Sequence, residues 1–525
     1  MTNVQGTMRS LLVYALIIPV ALVFGYLLAT RSDAGLYIDW STWGPIGAVL
    51  GLISLPLLLK WHHPLLFLTW NMSAVLFFLP GSPPLWFAAT AISLTLALVH
   101  RMMDREMRFI SVPSIMWPVA YLAVVIFLTA HFTGGFGMRI LGGGTYGGRR
   151  YWLMFAGLAG LLAMTAQEIP RRYALLYVGL FFLGALEDLL SAVIPFLPRQ
   201  LYWLAAIFPV GGNDLGTLIG GGSFGETVAR YSSFNVACTG FFLYLLARYG
   251  IQEMLRPAKI WRFLLLLVAL VLSLFGGYRS SLLLLGGVLM LVFYFEGLTR
   301  SKYTPMLIGA ALLAFALLVP FANRLPLSFQ RTLSFLPLRL NPIAVYEADN
   351  STEWRLAVWK AAVEVVPTYF WAGKGLAING EELELTAELQ HRGMAAPEEG
   401  VMMTGDYHSG PLSVIIPFGI WGVIGWLWFL GASVRAMYLN YRYGDVSLRR
   451  VNTFLLAYFI AKILLFLVIY GSFYADVATF AGVVGLNLSL NGGICKPARA
   501  PALAKIQSAP PEQLPQPFRP LPGPA

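Results

Sequence analysis

Apolar residues run along this chain in long blocks, at about residues 8–29, 43–59, 64–80, 84–100, 112–131, 151–169, 173–197, 232–249, 260–277, 281–298, 305–321, 411–434, 451–471 and 476–494. A helix needs ~20 such residues to cross a bilayer. The pattern therefore predicts an all-α, polytopic membrane protein with about 14 transmembrane helices. The last run is the weakest, because Asn487, Ser489 and Asn491 interrupt it. The first, from Leu11 to Ala29, is long enough to span and reads as a helix rather than a cleavable signal. One polar stretch is far longer than the other connections. It divides the chain into helices 1–11 with short loops (residues 1–321), a large loop (322–410), the C-terminal helices (411–494) and a tail (495–525). The nine prolines of the tail point to disorder rather than a core. No internal repeat is visible.

Composition sharpens this picture. Of 525 residues, 58% are hydrophobic and 12% charged, and mean hydropathy is +0.70. Soluble domains average roughly 45–50% apolar and about 25% charged, so a soluble enzyme, a disordered chain and a disulfide-stapled secreted domain are all excluded. Cys238 and Cys495 stand too far apart in sequence to make a CxxC metal pair or a disulfide framework. The net charge of +11 would suggest nucleic acid on a soluble protein. On a polytopic one it marks membrane orientation, and no nucleic-acid partner is expected.

With the N-terminus in the cytoplasm and the spans alternating, 21 basic residues fall on the cytoplasmic side. Seven (Arg31, Arg139, Arg149, Arg150, Arg199, Arg230 and Arg279) fall in short loops on the other. That asymmetry places the 322–410 loop outside the cytoplasm. The loop holds 89 residues and 11 of the 25 acidic groups. Asn350 and Glu353 have capping-box spacing ahead of Trp354, Leu356, Ala357, Val358, Ala361 and Val365, and Pro367 closes the run. This predicts a helix on the membrane face, anchored by Trp354 and Trp359.

Four places carry candidate chemistry. Arg279, in Gly276-Gly277-Tyr278-Arg279-Ser280-Ser281, sits in a turn so short that its guanidinium lies near hydrocarbon. It is either a snorkelling arginine or an anion clamp, since glycines let a ligand approach and Arg offers a planar fork to phosphate. Arg355 falls in the expected first helical turn, where backbone N–H groups favour an anion; the competing reading is a salt bridge to a loop carboxylate. His408, within Asp406-Tyr407-His408-Ser409-Gly410, lies two residues before the chain re-enters the membrane. Its ordinary pKa of about 6.5 suits a general base. His62, His63, His100, His131 and His391 read as structural. Glu187 and Asp188 fall inside the seventh run, where carboxylates are functional candidates by default; they fit an arginine partner, a polar cavity or a proton path. No HExxH, Walker, CxxC or DxD sequence specifies a metal.

Taken together, the Gly-x-Arg-Ser turn, Trp354 to Ala362 (Trp-Arg-x-x-x-Trp-Lys-x-Ala), the Gly373-Lys374-Gly375 turn, and His408-Ser409 ahead of Pro411-Leu412-Ser413 and Gly419-Ile420-Trp421-Gly422 resemble the O-antigen ligase and Wzy-type polymerase superfamily over roughly residues 260–435. The resemblance implies a bacterial inner-membrane protein with a periplasmic 322–410 loop, a periplasm-facing, inverting glycosyltransferase that needs no metal or other cofactor. Its donor would be a glycan on a polyprenyl diphosphate in the membrane lipid. Its acceptor would be a glycan or a lipid, and a chain-length regulator is a candidate partner. It further implies that Arg279 and Arg355 hold the donor diphosphate and that His408 takes the acceptor proton. Lys374 is a candidate third positive charge there, and Asp406, Glu187 and Asp188 are candidate supporting groups. Ser409 stands where many members have Asn. Polymerisation of oligosaccharide repeats into a surface or exopolysaccharide is the first reading, on the strength of the elaborated 322–410 loop. Ligation to lipid A-core is the second. A lipid-linked glycan flippase is the alternative of another class; such transporters often show paired repeats, which this chain lacks.

Overall fold

The computed structural model describes residues 49, 60–77, 79, 81–104, 109–137, 146–211, 228–394 and 396–496. The apolar runs at 8–29 and 43–59 and nearly all of the tail, 497–525, lie outside the described residues. Among the described residues the protein is all-helical, with eight helices long and apolar enough to cross a membrane. In chain order the helices are α1 (Leu85–Met103), α2 (Pro113–Phe132), α3 (Gly148–Met164), α4 (Arg171–Phe196), α5 (Ser232–Met254), α6 (Trp261–Gly276), α7 (Arg279–Phe295), α8 (Tyr303–Arg324), α9 (Pro342–Tyr369), α10 (Gly380–His391), α11 (Pro397–Thr404), α12 (Gly410–Tyr443), α13 (Val446–Val468) and α14 (Phe473–Asn491). The eight candidate spans are α1, α2, α4, α5, α8, α12, α13 and α14, while α6 and α7 are shorter apolar helices.

The expected count of about 14 is therefore reached only in part. Two runs lie outside the described residues, and α3, α6 and α7 are shorter than a full span. The run at 64–80 breaks outright: its helix covers 60–69 and stops. Asn71 and Ser73 end it, because their polar groups are used elsewhere. Asn71 Nδ2 donates to the Phe181 carbonyl (2.7 Å). Ser73 donates its N–H to Glu187 Oε2 (2.9 Å) and its hydroxyl to Asp188 Oδ1 (2.8 Å). The run ends in the Pro80-Gly81-Ser82-Pro83-Pro84 punctuation, which cannot continue a helix.

The core forms where α3 packs on α14, α2 on α12, α5 on α6 and α7 on α13. Small residues allow the closest of these contacts. A Cβ on Gly482 of α14 would lie 2.0 Å from Trp70 Nε1, and one on Gly160 of α3 would lie 2.1 Å from Trp70 Cη2. The indole is thus clamped between two helices, and its N–H donates to the Ala478 carbonyl (3.1 Å).

The last run, weakest in sequence, is a well-packed helix. Its interrupting polar residues face inward. Asn487 accepts from Asn440 Nδ2 (2.8 Å) and donates to Asn452 Oδ1 (3.1 Å), and Asn452 Nδ2 donates to Asn491 Oδ1 (2.9 Å). Asparagine side chains thus tie α12, α13 and α14 together where lipid would offer no partner. Between α8 and α12 the chain forms the short helix Leu327–Thr332 and then α9, α10 and α11. This segment supplies most of the site.

Candidate functional site

The site begins with a glycine turn. Gly277 has φ +68, a conformation other residues avoid, and it turns the chain from α6 into α7. Arg279 is the first residue of α7, and no side chain caps that end. The N–H groups of the first turn therefore retain their positive field. The Arg279 guanidinium donates to the Ala348 carbonyl (2.8 Å) and to Thr352 Oγ1 (2.7 Å), both on α9. Arg279 is thereby docked on the α9 face that carries Arg355 one turn later.

Helix α9 departs from the sequence expectation. It starts at Pro342, with Asn341 as N-cap accepting from the Ile343 N–H (2.9 Å), and runs unbroken through Asn350 and past Pro367 to Tyr369. Asn-Pro is itself a strong helix start, and the upstream apolar residues Ala344 and Ala348 are buried. The Asn350–Glu353 spacing is thus interior sequence. Arg355 lies in mid-helix, and no helix N-terminus of its own helix joins it.

Arg355 is half-buried and makes no ion pair among the described residues; its Nε is buried without a hydrogen-bond partner. Burial comes first in holding its pKa below the ordinary value, followed by the positive charges of Arg279 and Arg230, partly offset by Tyr470. Three guanidinium groups thus share one neighbourhood, which favours a multiply charged anion. The salt-bridge reading of Arg355 is not what the structure contains. Nearby, Arg331 of the short helix is buried at 3.9 Å from Glu347 of α9, and Glu347 accepts from the Val228 N–H (2.9 Å). That pair braces the turn beneath Gly277, where the Arg331 guanidinium and the Arg230 side chain both approach.

His408 sits on the turn between α11 and α12 and has φ +50, a left-handed conformation rare for a residue with a Cβ. Gly410 follows because a Cβ there would lie 2.1 Å from the Phe466 carbonyl. The imidazole packs edge-on against Trp354 (centroids 5.1 Å apart) and at a tilt against Tyr470 (5.5 Å). Trp354 precedes Arg355 in sequence, so one turn of α9 presents both the wall of the imidazole and the buried guanidinium. Trp359 Nε1 donates to the Tyr407 carbonyl (3.0 Å). The two tryptophans thus hold the His408 turn. Burial lowers the His408 pKa most; Asp406 pulls it up and Arg355 pushes it down, leaving it below the usual value. Its Nδ1 is buried without a hydrogen-bond partner, as is Asp406 Oδ1. At neutral pH the imidazole is therefore neutral and free to accept a proton.

Two residues absent from the sequence expectation complete the site. Arg230 precedes α5, and Tyr470 lies in the loop between α13 and α14. Tyr470 touches both partners: its ring lies 5.9 Å from Arg355 Cζ and stacks at a tilt on His408. Burial, with the Asp406 and Asp476 charges, pushes its hydroxyl up to about 12, so it stays a neutral phenol. The loop is fixed by an ion pair inside the spans, Lys462 to Asp476 (2.8 Å), whose second carboxylate oxygen accepts from the Ser472 N–H (2.9 Å). The only sequence signal for Tyr470 was its place just past an intramembrane lysine.

The remaining candidates have other partners. Lys374 Nζ donates to the Met402 carbonyl (3.0 Å); burial lowers its pKa and Glu382 is the charge that opposes the shift. Gly373 and Gly375 both have φ +74, and the Lys374 and Gly375 N–H groups donate to the Ile416 and Pro417 carbonyls (2.7 and 3.0 Å). Those carbonyls belong to α12 where it breaks at Gly419. The Gly373–Gly375 turn is therefore a brace for the break in α12. Glu187 and Asp188 bind Ser73 and close the interrupted 64–80 segment.

Residues 261–427 match the sequence model of the family described as O-antigen ligase. The match takes in Arg279, Arg355 and His408 and leaves out Arg230 and Tyr470. No curated protein matches the chain.

Proposed function

We propose, from the match of residues 261–427 to the O-antigen ligase family model, that the protein is an inverting membrane glycosyltransferase that moves a glycan from a polyprenyl diphosphate carrier to an acceptor hydroxyl on the periplasmic face of a bacterial inner membrane. The observation that carries this reading is the juxtaposition of the Arg279–Arg355 pair with His408 through Trp354 and Tyr470.

The proposed chemistry balances as one displacement. His408 accepts the proton of the acceptor hydroxyl, whose oxygen attacks the anomeric carbon. The bond from that carbon to the diphosphate oxygen breaks, and its electron pair leaves with the diphosphate. Arg279 and Arg355 neutralise the departing charge, with planar guanidinium contacts to phosphate oxygens. Attack opposite the leaving group inverts the anomeric centre. Asp406 supports the imidazolium as it forms, and Arg230 adds to the positive field. The polyprenyl chain lies along apolar helix surface.

We read the acceptor as the growing end of lipid-linked repeats, which makes the protein a polymerase of surface or exopolysaccharide. The elaborated segment between α8 and α12 supports this, as space for a glycan acceptor. Ligation to lipid A-core is the second reading, favoured by the description of the matched family. Deletion of the gene and analysis of what accumulates separates the readings. Single lipid-linked repeats, capped onto core, are the expected result. Long lipid-linked polymer beside bare core would mean a ligase. Unflipped precursor on the cytoplasmic face would overturn glycan transfer in favour of transport.

A further inference from the structure

At the far end of the same helices lies a basic cavity of about 640 Å³. Asn235 of α5 donates to Ser281 of α7 (3.1 Å) at the site end. Glu296, just past the last residue of α7, accepts from the Ile251 and Gln252 N–H groups (3.0 and 2.8 Å) at the cavity end. Helix α7 has 17 residues, and at ~1.5 Å per residue it separates the two by roughly 25 Å. That is close to the ~30 Å of a hydrocarbon core, so the cavity opens on the opposite membrane face.

Six arginines line it, from the start of α4, the end of α5 and the start of α13. Two are neutralised: Arg171 pairs with Asp445 (2.8 Å) and Arg450 with Glu253 (2.9 Å). Glu253 is also shared with Lys259 and Arg262, and Glu296, which accepts from the two backbone donors, adds a second carboxylate to the lining. Arg172, Arg248, Arg256 and Arg449 make no ion pair among the described residues. Ordinary positive flanking of spans needs no cavity; here four guanidinium groups without an ion pair, of which Arg248 donates to the Tyr244 hydroxyl, surround one that also holds Glu253 and Glu296. The wall is apolar where Leu175 and Phe295 line it. On α4, Leu175 and its neighbour Leu176 are also exposed on the outer surface, giving an acyl chain a path from the cavity into the bilayer.

We propose that this cavity binds the phosphate headgroup of an anionic phospholipid, phosphatidylglycerol in chemical class. The phosphodiester sits among Arg172, Arg248, Arg256 and Arg449, and an acyl chain lies along the Leu175–Leu176 face. Basic pockets between spans recognise such headgroups, and a volume within the ~300–1,000 Å³ range of ligand pockets accommodates one. This site stands apart from the glycan-transfer reading and does not depend on it.

The test uses the full-length protein in phosphatidylcholine nanodiscs with spin-labelled phosphatidylglycerol or spin-labelled phosphatidylcholine. The expected result is a saturable, motionally restricted phosphatidylglycerol component with no phosphatidylcholine counterpart. Arg248→Gln/Arg449→Gln weakens it about 30-fold, from roughly fivefold per arginine at a membrane surface. Arg435→Gln/Arg442→Gln, on the same end of α12 but outside the cavity, leaves it unchanged. Equal binding of the two lipids by the wild-type protein would overturn the proposal whatever the variants do. An equal loss in the Arg435/Arg442 control would reduce the effect to diffuse charge and overturn it as well. Displacement of the label by excess inorganic phosphate would assign the cavity to free phosphate instead.

Discussion

His408 combines two unusual properties, a left-handed backbone and an imidazole held below its ordinary pKa. A non-glycine residue in that conformation costs of order 1–3 kcal/mol and persists where the surroundings fix it. His408→Gly relieves that strain. It is expected to keep or raise the unfolding temperature while abolishing product, and a variant that is both active and unstable would deny His408 its role. Since only the neutral imidazole accepts a proton, the acidic limb of the rate profile falls below pH 6.5. Asp406 is the charge that raises the His408 pKa, so Asp406→Asn shifts this limb to lower pH; a shift upward would contradict the assignment. Arg355→Lys retains the charge but not the planar fork. Its turnover is expected to drop on the order of 10²–10³-fold, the size seen when one preorganised donor is lost.

At the scale of elements, the outcome depended on which local signal was strongest. The Gly-x-Arg-Ser turn and the His-Ser re-entry were legible because both are short, strongly punctuated and set between long apolar runs. The start of α9 was misread because the Asn350–Glu353 spacing imitates a cap, while Asn341-Pro342 lies outside the apolar repeat that drew notice. Lys374 looked like a charge at the site, yet Gly373 and Gly375 serve the broken α12, whose free carbonyls need donors. The 64–80 run read as a span because hydropathy alone does not register that Asn71 and Ser73 have partners on α4. Arg230 and Tyr470 were missed because they are distant in sequence from the motifs they join. The α3–α14 seam gives a sharp test of packing. Gly482→Leu forces a side chain into the Trp70 indole. It should destabilise the protein by at least the ~1–3 kcal/mol of core overpacking, seen as a lower unfolding temperature in detergent; an unchanged midpoint would mean that α14 is not clamped there.

For the whole molecule, charge asymmetry and the helix ends tell one story. The arginines around Arg279 and those around Arg248 occupy opposite ends of α5, α7 and α13, so the protein carries a basic cluster at each end of these helices. On the proposed reading, one takes the diphosphate of the donor and the other holds lipid. Guanidinium groups replace the divalent ion that commonly neutralises a diphosphate leaving group, so a chelator should leave turnover unchanged; a strict divalent requirement would point to another enzyme class. The most direct test of the central claim is release of polyprenyl diphosphate by the purified protein in liposomes supplied with lipid-linked glycan. Wild-type protein should release it with formation of a glycosidic product, and Arg279→Lys, Arg355→Lys and His408→Ala should each fail to do so while remaining folded in the membrane. Full release by His408→Ala, or by both arginine variants, would contradict the account.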